Sequence, residues 1–227
     1  DPERIGLALE VQEPEGGLVA HLASLPALGP ITLKAGLDGP RTAAATTLAL
    51  QAGPLRVEAK GTLDLDGRAA DLDVTASAPA MQPRPDVSWG GVSLQARVRG
   101  PFTAPDAKGT LRVDGLQAAG AAVRRLAADI EGNAGRVMLH AVADGVRLPG
   151  GAPDLLGAAP VLLDADARLD DPARTVAFSL SHPLLTAKGT ARTGGDLSVV
   201  ADLAAPDLQP LAALGGVDIR GRAQAHV

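Results

Sequence analysis

The chain has 227 residues, 46% of them hydrophobic but only 1% aromatic, with no cysteine and a formal net charge of −5. This balance excludes a disulfide framework and thiolate metal sites, and it offers neither the basic footprint nor the stacking platforms of nucleic-acid binding. No apolar run approaches the roughly 18 residues of a membrane helix, and no signal-peptide pattern opens the chain.

Apolar and polar residues alternate with period two almost everywhere, the pattern of strands with one greasy and one polar face. In chain order the pattern predicts strands at 5–11, 18–23, 31–37, 47–52, 55–66, 71–77, 92–98, 108–114, 126–132, 136–144, 161–169, 175–181, 185–192, 196–203 and 217–227. The clearest is LRVEAKGTLDLD (55–66), with Leu55, Val57, Ala59, Gly61, Leu63 and Leu65 on one side and Arg56, Glu58, Lys60, Thr62, Asp64 and Asp66 on the other. Helical spacing is confined to 152–159 and 206–216, enough for a turn or two, and 84–91 (RPDVSWGG) reads as a loop. The expectation is an all-β fold of about fifteen short strands with minimal helix. Strand patterns run at both termini, so the chain reads as a single β-repeat segment, 1–227, of a longer protein.

A longer repeat overlies the strands. PLRVEAKGT (54–62) returns as PLLTAKGT (183–190), APAMQP (78–83) as APDLQP (205–210), and GGVSLQARV (90–98) as GGVDIRGRA (215–223), about 125 to 128 residues apart. The repeat copies span about 44–100 and 174–227. Repetition on this scale points to stacked, quasi-one-dimensional architecture.

The strand texture P-L-x-V-x-A-x-G-x-L-x-L, the joint from Val92 to Val113 and the proline-rich APDLQP resemble the periplasmic repeats of the TamB family, within the AsmA-like group of bridge-like lipid transfer proteins. The resemblance covers essentially the whole chain and corresponds to a middle segment of that family. It implies an elongated, curled sheet, a β-taco-like groove, whose apolar concave face carries phospholipid acyl chains. It also implies a place in the periplasm of a Gram-negative envelope, an inner-membrane anchor elsewhere in the protein, and an Omp85-type (TamA-like) outer-membrane partner met through other regions. Lipid transport between the membranes, assistance to outer-membrane protein assembly, or both, follow from it.

A one-faced apolar sheet has three common fates. A sandwich covers it with a second sheet. A membrane barrel covers it with lipid, but aromatic girdles should flank the band, and the chain has no Tyr and one Trp. An open trough leaves it to a mobile guest, and smooth aliphatic lining suits an acyl chain. Fifteen strands at about 4.8 Å would extend roughly 70 Å. The trough lining would be Leu48, Leu50, Leu55, Val57, Leu63, Leu65, Leu72, Val74, Leu94, Val98, Leu111, Val113, Val137, Leu139, Val176, Phe178, Leu180 and Ile219. The rival reading is a β-solenoid or β-sandwich stalk of a secreted, adhesin-like protein.

Nothing in the sequence reads as a catalytic, cofactor or metal site. His21, His140, His182 and His226 fall on polar phases or at turns, far apart in sequence, and read as solvated. The pairs Asp64 with Asp66, Asp71 with Asp73, and Asp164 with Asp166 share strand faces but lack the further oxygen ligands of a calcium loop. Ser181 and His182 are adjacent on a strand and point apart, and no glycine stretch reads as a phosphate-cradling loop. Arg97 and Arg99 sit on a polar phase where phospholipid head groups or simple solubility would explain them. The expectation is a non-enzymatic protein.

Overall fold

A computed structural model of the chain describes residues 4–14, 29–149, 155–195, 197–207, 209 and 221–226. Among these, 75% lie in strands and 1% in helix. The strands are β1 (Arg4–Glu13), β2 (Ile31–Pro40), β3 (Ala44–Ala52), β4 (Leu55–Asp64), β5 (Ala69–Arg84), β6 (Val87–Pro101), β7 (Asp106–Ala118), β8 (Ala121–Gly132), β9 (Arg136–Arg147), β10 (Val161–Arg168), β11 (Thr175–His182), β12 (Leu185–Arg192), β13 (Ser198–Ala205) and β14 (Ala223–His226). They form one antiparallel sheet in chain order from β1 to β14, not closed into a barrel. Pairing each strand with its sequence neighbour is what short turns impose on an antiparallel sheet.

The fold is all-β, as the two-residue period predicts. Of the fifteen expected strands, 18–23 lies outside the described residues, as do His21 and Ile219; so do 217–220 of the expected strand 217–227, of which β14 is the described strand, and most of the helical piece 206–216. The segment 84–91 is not a loop. β5 runs to Arg84, Pro85 and Asp86 turn the chain, and β6 starts at Val87. Proline preset for a turn compresses the reversal into two residues, and the Trp89 indole donates to the Pro79 carbonyl at 3.1 Å across the hairpin. Residues 155–159 are turn and bend rather than helix, and 150–154 lie outside the described residues.

The chain divides into two compact units, Asp1–Arg112 and Val113–Val227. In the first, register aligns the apolar phases of successive strands into rows. One row is Leu9, Ala35, Leu48, Ala59, Val74 and Ala96; the next is Val11, Leu33, Leu50, Val57, Ala76 and Leu94. The second unit repeats the device with Ile130, Leu139, Ala165, Phe178, Gly189 and Ala201, and beside them Ala128, Ala141, Leu163, Leu180, Ala187 and Leu203. In the first of these rows large and small side chains alternate strictly, and in the others pairs such as Val57 with Ala76 and Leu180 with Ala187 set a large side chain beside a methyl.

Burial follows from this packing. Seven of the ten buried apolar residues among those described are alanines, and no large side chain is fully buried. The leucines and valines facing them are only half-buried, as in β3, where buried, exposed and half-buried positions alternate from Ala44 to Ala52. A covered sandwich core would bury its leucines most completely. Here the face is shielded by its own neighbours, with a small local cluster of Ile31 and Ala52 against Leu50, Leu55 and Met81.

The repeated AKGT motif has a backbone cause. A Cβ built on Gly61 of β4 would stand 1.9 Å from the Asp71 carbonyl oxygen, and one on Gly189 of β12 would stand 2.3 Å from the Val200 carbonyl oxygen. The third copy, at Gly109 of β7, would meet Ala96 Cβ at 2.9 Å. In each the neighbouring strand approaches too closely for any side chain, and in β12 the Phe178 ring covers the glycine. The substitution Gly61→Ala should therefore cost roughly 1–3 kcal/mol in urea denaturation, the range for overpacking and backbone strain. Gly6→Ala, with nothing within 4 Å of its Cβ, should stay within about 0.5 kcal/mol.

Candidate functional site

The candidate lining residues fall where alternation places them. Leu48, Leu50, Leu55, Val57, Leu63, Leu72, Val74, Leu94 and Val98 share one face of the first unit through direct cross-strand pairing. Leu111 joins them, because Gly109, two residues before it, abuts Ala96 on that face. In the second unit Val137, Leu139, Val176, Phe178 and Leu180 share a face in the same way, and Val113 is buried. Leu65 lies past the end of β4, in a turn where its N–H donates to the Arg41 carbonyl at 2.7 Å. Ile219 is outside the described residues.

Several face residues are openly exposed: Leu7 at 61%, Leu9 at 49% and Val11 at 43% on β1, and Leu203 at 40% on β13. A hollow of about 250 Å³ at the β12–β14 end is lined by Leu185, Leu203, Ala205, Ala223 and Ala225 among others. Each methylene taken from water is worth about 0.8 kcal/mol, so these exposed aliphatic side chains carry a hydration cost that any covering apolar surface would relieve.

The opposite face is occupied by mutually satisfied charges. Arg97 donates to both Asp71 oxygens at 2.9 and 3.0 Å, and Arg99 to Asp71 at 3.1 Å. Arg136 clamps Asp166, Arg41 holds Asp66 at 2.8 Å, and Lys34 lies 3.3 Å from Glu10. The Arg97 hydrogen bond holds the Asp71 carboxyl below its usual value, helped by Arg99; Arg136 does the same for Asp166. At Asp171 the Ala173 N–H is the main cause, followed by the Thr175 hydroxyl. Arg97 and Arg99 are therefore committed within the sheet rather than presented to a ligand.

The histidines divide. His140 and His226 are exposed, each with Nδ1 2.7 Å from a cross-strand aspartate, Asp164 and Asp202. His182 departs from the solvated reading, for it is 4% exposed. Its Nδ1 accepts the Leu184 N–H at 3.2 Å, its Nε2 has no partner, and it pairs across the hairpin with Leu185. The signal was present in the sequence: Val176, Phe178, Leu180 and His182 share one phase, and the turn that follows encloses the ring.

Asp64 accepts the Gly67 N–H, which with the pairings above gives each of the three aspartate pairs a local role. Among the described residues no group of three or more His, Cys, Asp or Glu is placed to hold a metal ion. Ser179 stands in a polar row with Asp164 and Lys188, away from the face that His182 occupies.

Against protein-family models, curated proteins and solved structures, the chain finds no match. No helix among the described residues is long and apolar enough to cross a membrane. What distinguishes the molecule is thus its own geometry: among the described residues of each unit, an aliphatic face with no second layer packed on it, backed by a charged face with cross-strand ion pairs.

The lowered carboxylates set an acid limit. A carboxylate whose folded value lies below its ordinary 3.8 takes up its proton later in the folded chain than in the unfolded one. Its stabilisation is full above the ordinary value and lost as pH falls through the lowered one. Urea midpoints should therefore drop between about pH 6 and about pH 3, and Arg97→Gln should shrink that drop, since Asp71 then titrates more nearly as in the unfolded chain.

Proposed function

We propose that the chain is a section of a hydrophobic groove that moves phospholipids between the inner and outer membranes, assists outer-membrane protein assembly, or both. The observation that carries this reading is the face itself: rows of aliphatic side chains crossing successive strands, with no large side chain fully buried among the described residues. The curled sheet, the periplasmic setting, the anchor elsewhere in the protein and the Omp85-type partner belong to the same proposal and rest on the resemblance to the TamB repeats.

The mechanism is passive. An acyl chain leaving a bilayer exposes methylenes at about 0.8 kcal/mol each, and an aliphatic face that receives them as they leave lowers that barrier without making or breaking a bond. Non-directional contacts suit the task, because a specific pocket would hold a lipid in place. The charged face keeps the section dispersed in water, and pairs such as Arg97 with Asp71 and Arg136 with Asp166 tie part of its charge within the sheet.

Detergent-free protein purified from envelope fractions should carry phospholipid detectable by mass spectrometry of an organic extract. Folded protein without lipid would overturn the reading in favour of a stalk. Leu72→Arg provides the functional test: Leu72 is only half-buried, so the long side chain can reach water by snorkelling. The variant should remain abundant and protease-resistant while outer-membrane integrity falls. Loss of the protein altogether would indicate a sealed core, where an unpaired charge is not tolerated.

A further inference from the structure

The second unit carries two arginines on its apolar side. β8 and β9 are in register with Ala122 opposite Arg147 and Leu126 opposite Ala143. Alternation therefore places Arg124 on the same side as Leu126, and Arg147 diagonally across from it. Diagonal neighbours lie within reach of long side chains, and two like charges there repel unless something negative stands between them.

Among the described residues no carboxylate takes that place. Arg125, the next residue, is 3.8 Å from Asp114 and opposite Asp144, so the local acids serve the other face. Arg124 and Arg147 have no ion pair or side-chain hydrogen bond among the described residues, in contrast to Arg97, Arg99 and Arg136.

The two arginines border a cleft of about 250 Å³ that Gly115, Leu116, Gly145 and Gly157 also line. Gly145 has φ +64, and a Cβ built on it would stand 2.9 Å from Arg124 Cβ and 3.1 Å from its Nε. The guanidinium thus lies over bare backbone, which a side chain at 145 would push aside. The next row toward the strand centres is Leu126, Ala143 and Val161, so the cationic cleft adjoins aliphatic surface.

We propose that Arg124 and Arg147 form a binding site for a phosphate-class oxyanion at one end of the apolar face. A planar guanidinium pairs bidentately with phosphate oxygens, and a cleft this small takes a head group rather than a whole lipid. The phosphodiester of a phospholipid whose chains lie on the Leu126 side is the favoured source, and that assignment rests on the groove reading; the anion site itself does not.

The test is calorimetric titration of the whole chain with dihexanoyl phosphatidylglycerol, with inorganic phosphate and with dodecyl maltoside, in low salt. Arg124→Gln and Arg147→Gln should each weaken the phospholipid by roughly tenfold, as loss of one charge-assisted contact does, and leave the maltoside unchanged. Arg56→Gln, a charge-matched change on the polar face of β4, should leave all three titrations unchanged. Because the wild-type arginines are exposed, circular dichroism should show every variant folded. Phosphate binding lost in the double variant, without phospholipid binding in the wild type, would retain the anion site and reject its lipid source. Phospholipid and phosphate binding that survive both substitutions, or that fall equally in Arg56→Gln, would overturn the site.

Discussion

Everything in this molecule depends on one constraint: a β-strand with alternating apolar and polar residues must place its apolar side chains on a single face, and something must keep that face from water. The usual solution is a second layer. Within each unit the face instead relies on its own neighbours, with leucine and valine leaning over alanine and glycine. The result is a surface whose small residues are buried and whose large ones are half-exposed, which is the inverse of an ordinary core. Such a face leaves aliphatic surface in contact with water, which is the feature that the proposed acyl-chain guest would cover.

The same constraint accounts for the rest of the architecture. Strands that pack only sideways draw their order from backbone pairing and cross-strand contacts, so close backbone approach matters more here than interior volume. That is why the AKGT glycines recur at contacts of 1.9 to 2.9 Å that no side chain survives. The polar face contributes register through pairs such as Arg97 with Asp71 and Arg136 with Asp166, which reward one alignment of neighbouring strands. Individually such exposed pairs are weak, but a one-residue slip would break them and also turn the apolar set toward the charged side. Charge pairing and aliphatic packing therefore favour the same register.

Against that background the exceptions stand out. Arg124 and Arg147 are cations on the aliphatic side with no acid to answer them among the described residues, and His182 is an imidazole enclosed at a hairpin end with one nitrogen unpaired among those residues. Arg97 and Arg99, which the sequence suggested for head groups, are paired with Asp71, and Arg97 also with Asp73. The difference is a matter of register rather than composition: what makes an arginine available is the residue opposite it, some 20 to 30 positions away in the chain.

The sequence by itself determined the strands and the sides of their residues, because a period of two is a local property that any six or seven residues declare. Leu55 to Leu63 could be assigned to one face of β4 from the alternation alone, and Gly61 drew notice through the AKGT repeat, though not its reason. Turns were harder, as at Pro85 and Asp86, where a density of Pro and Gly looks the same in a loop as in a tight hairpin. Only the tertiary structure decided which strands adjoin and in what register. Those choices set the rows that Leu48 and Val57 join, the cross-strand partners of aspartates such as Asp71 and Asp166, the enclosure of His182 and, among the described residues, the half-exposure of the leucines. Pairing is settled by contacts between residues distant in the chain, and a periodicity that is nearly the same in every strand says which side of a strand is apolar but cannot say what will lie beside it.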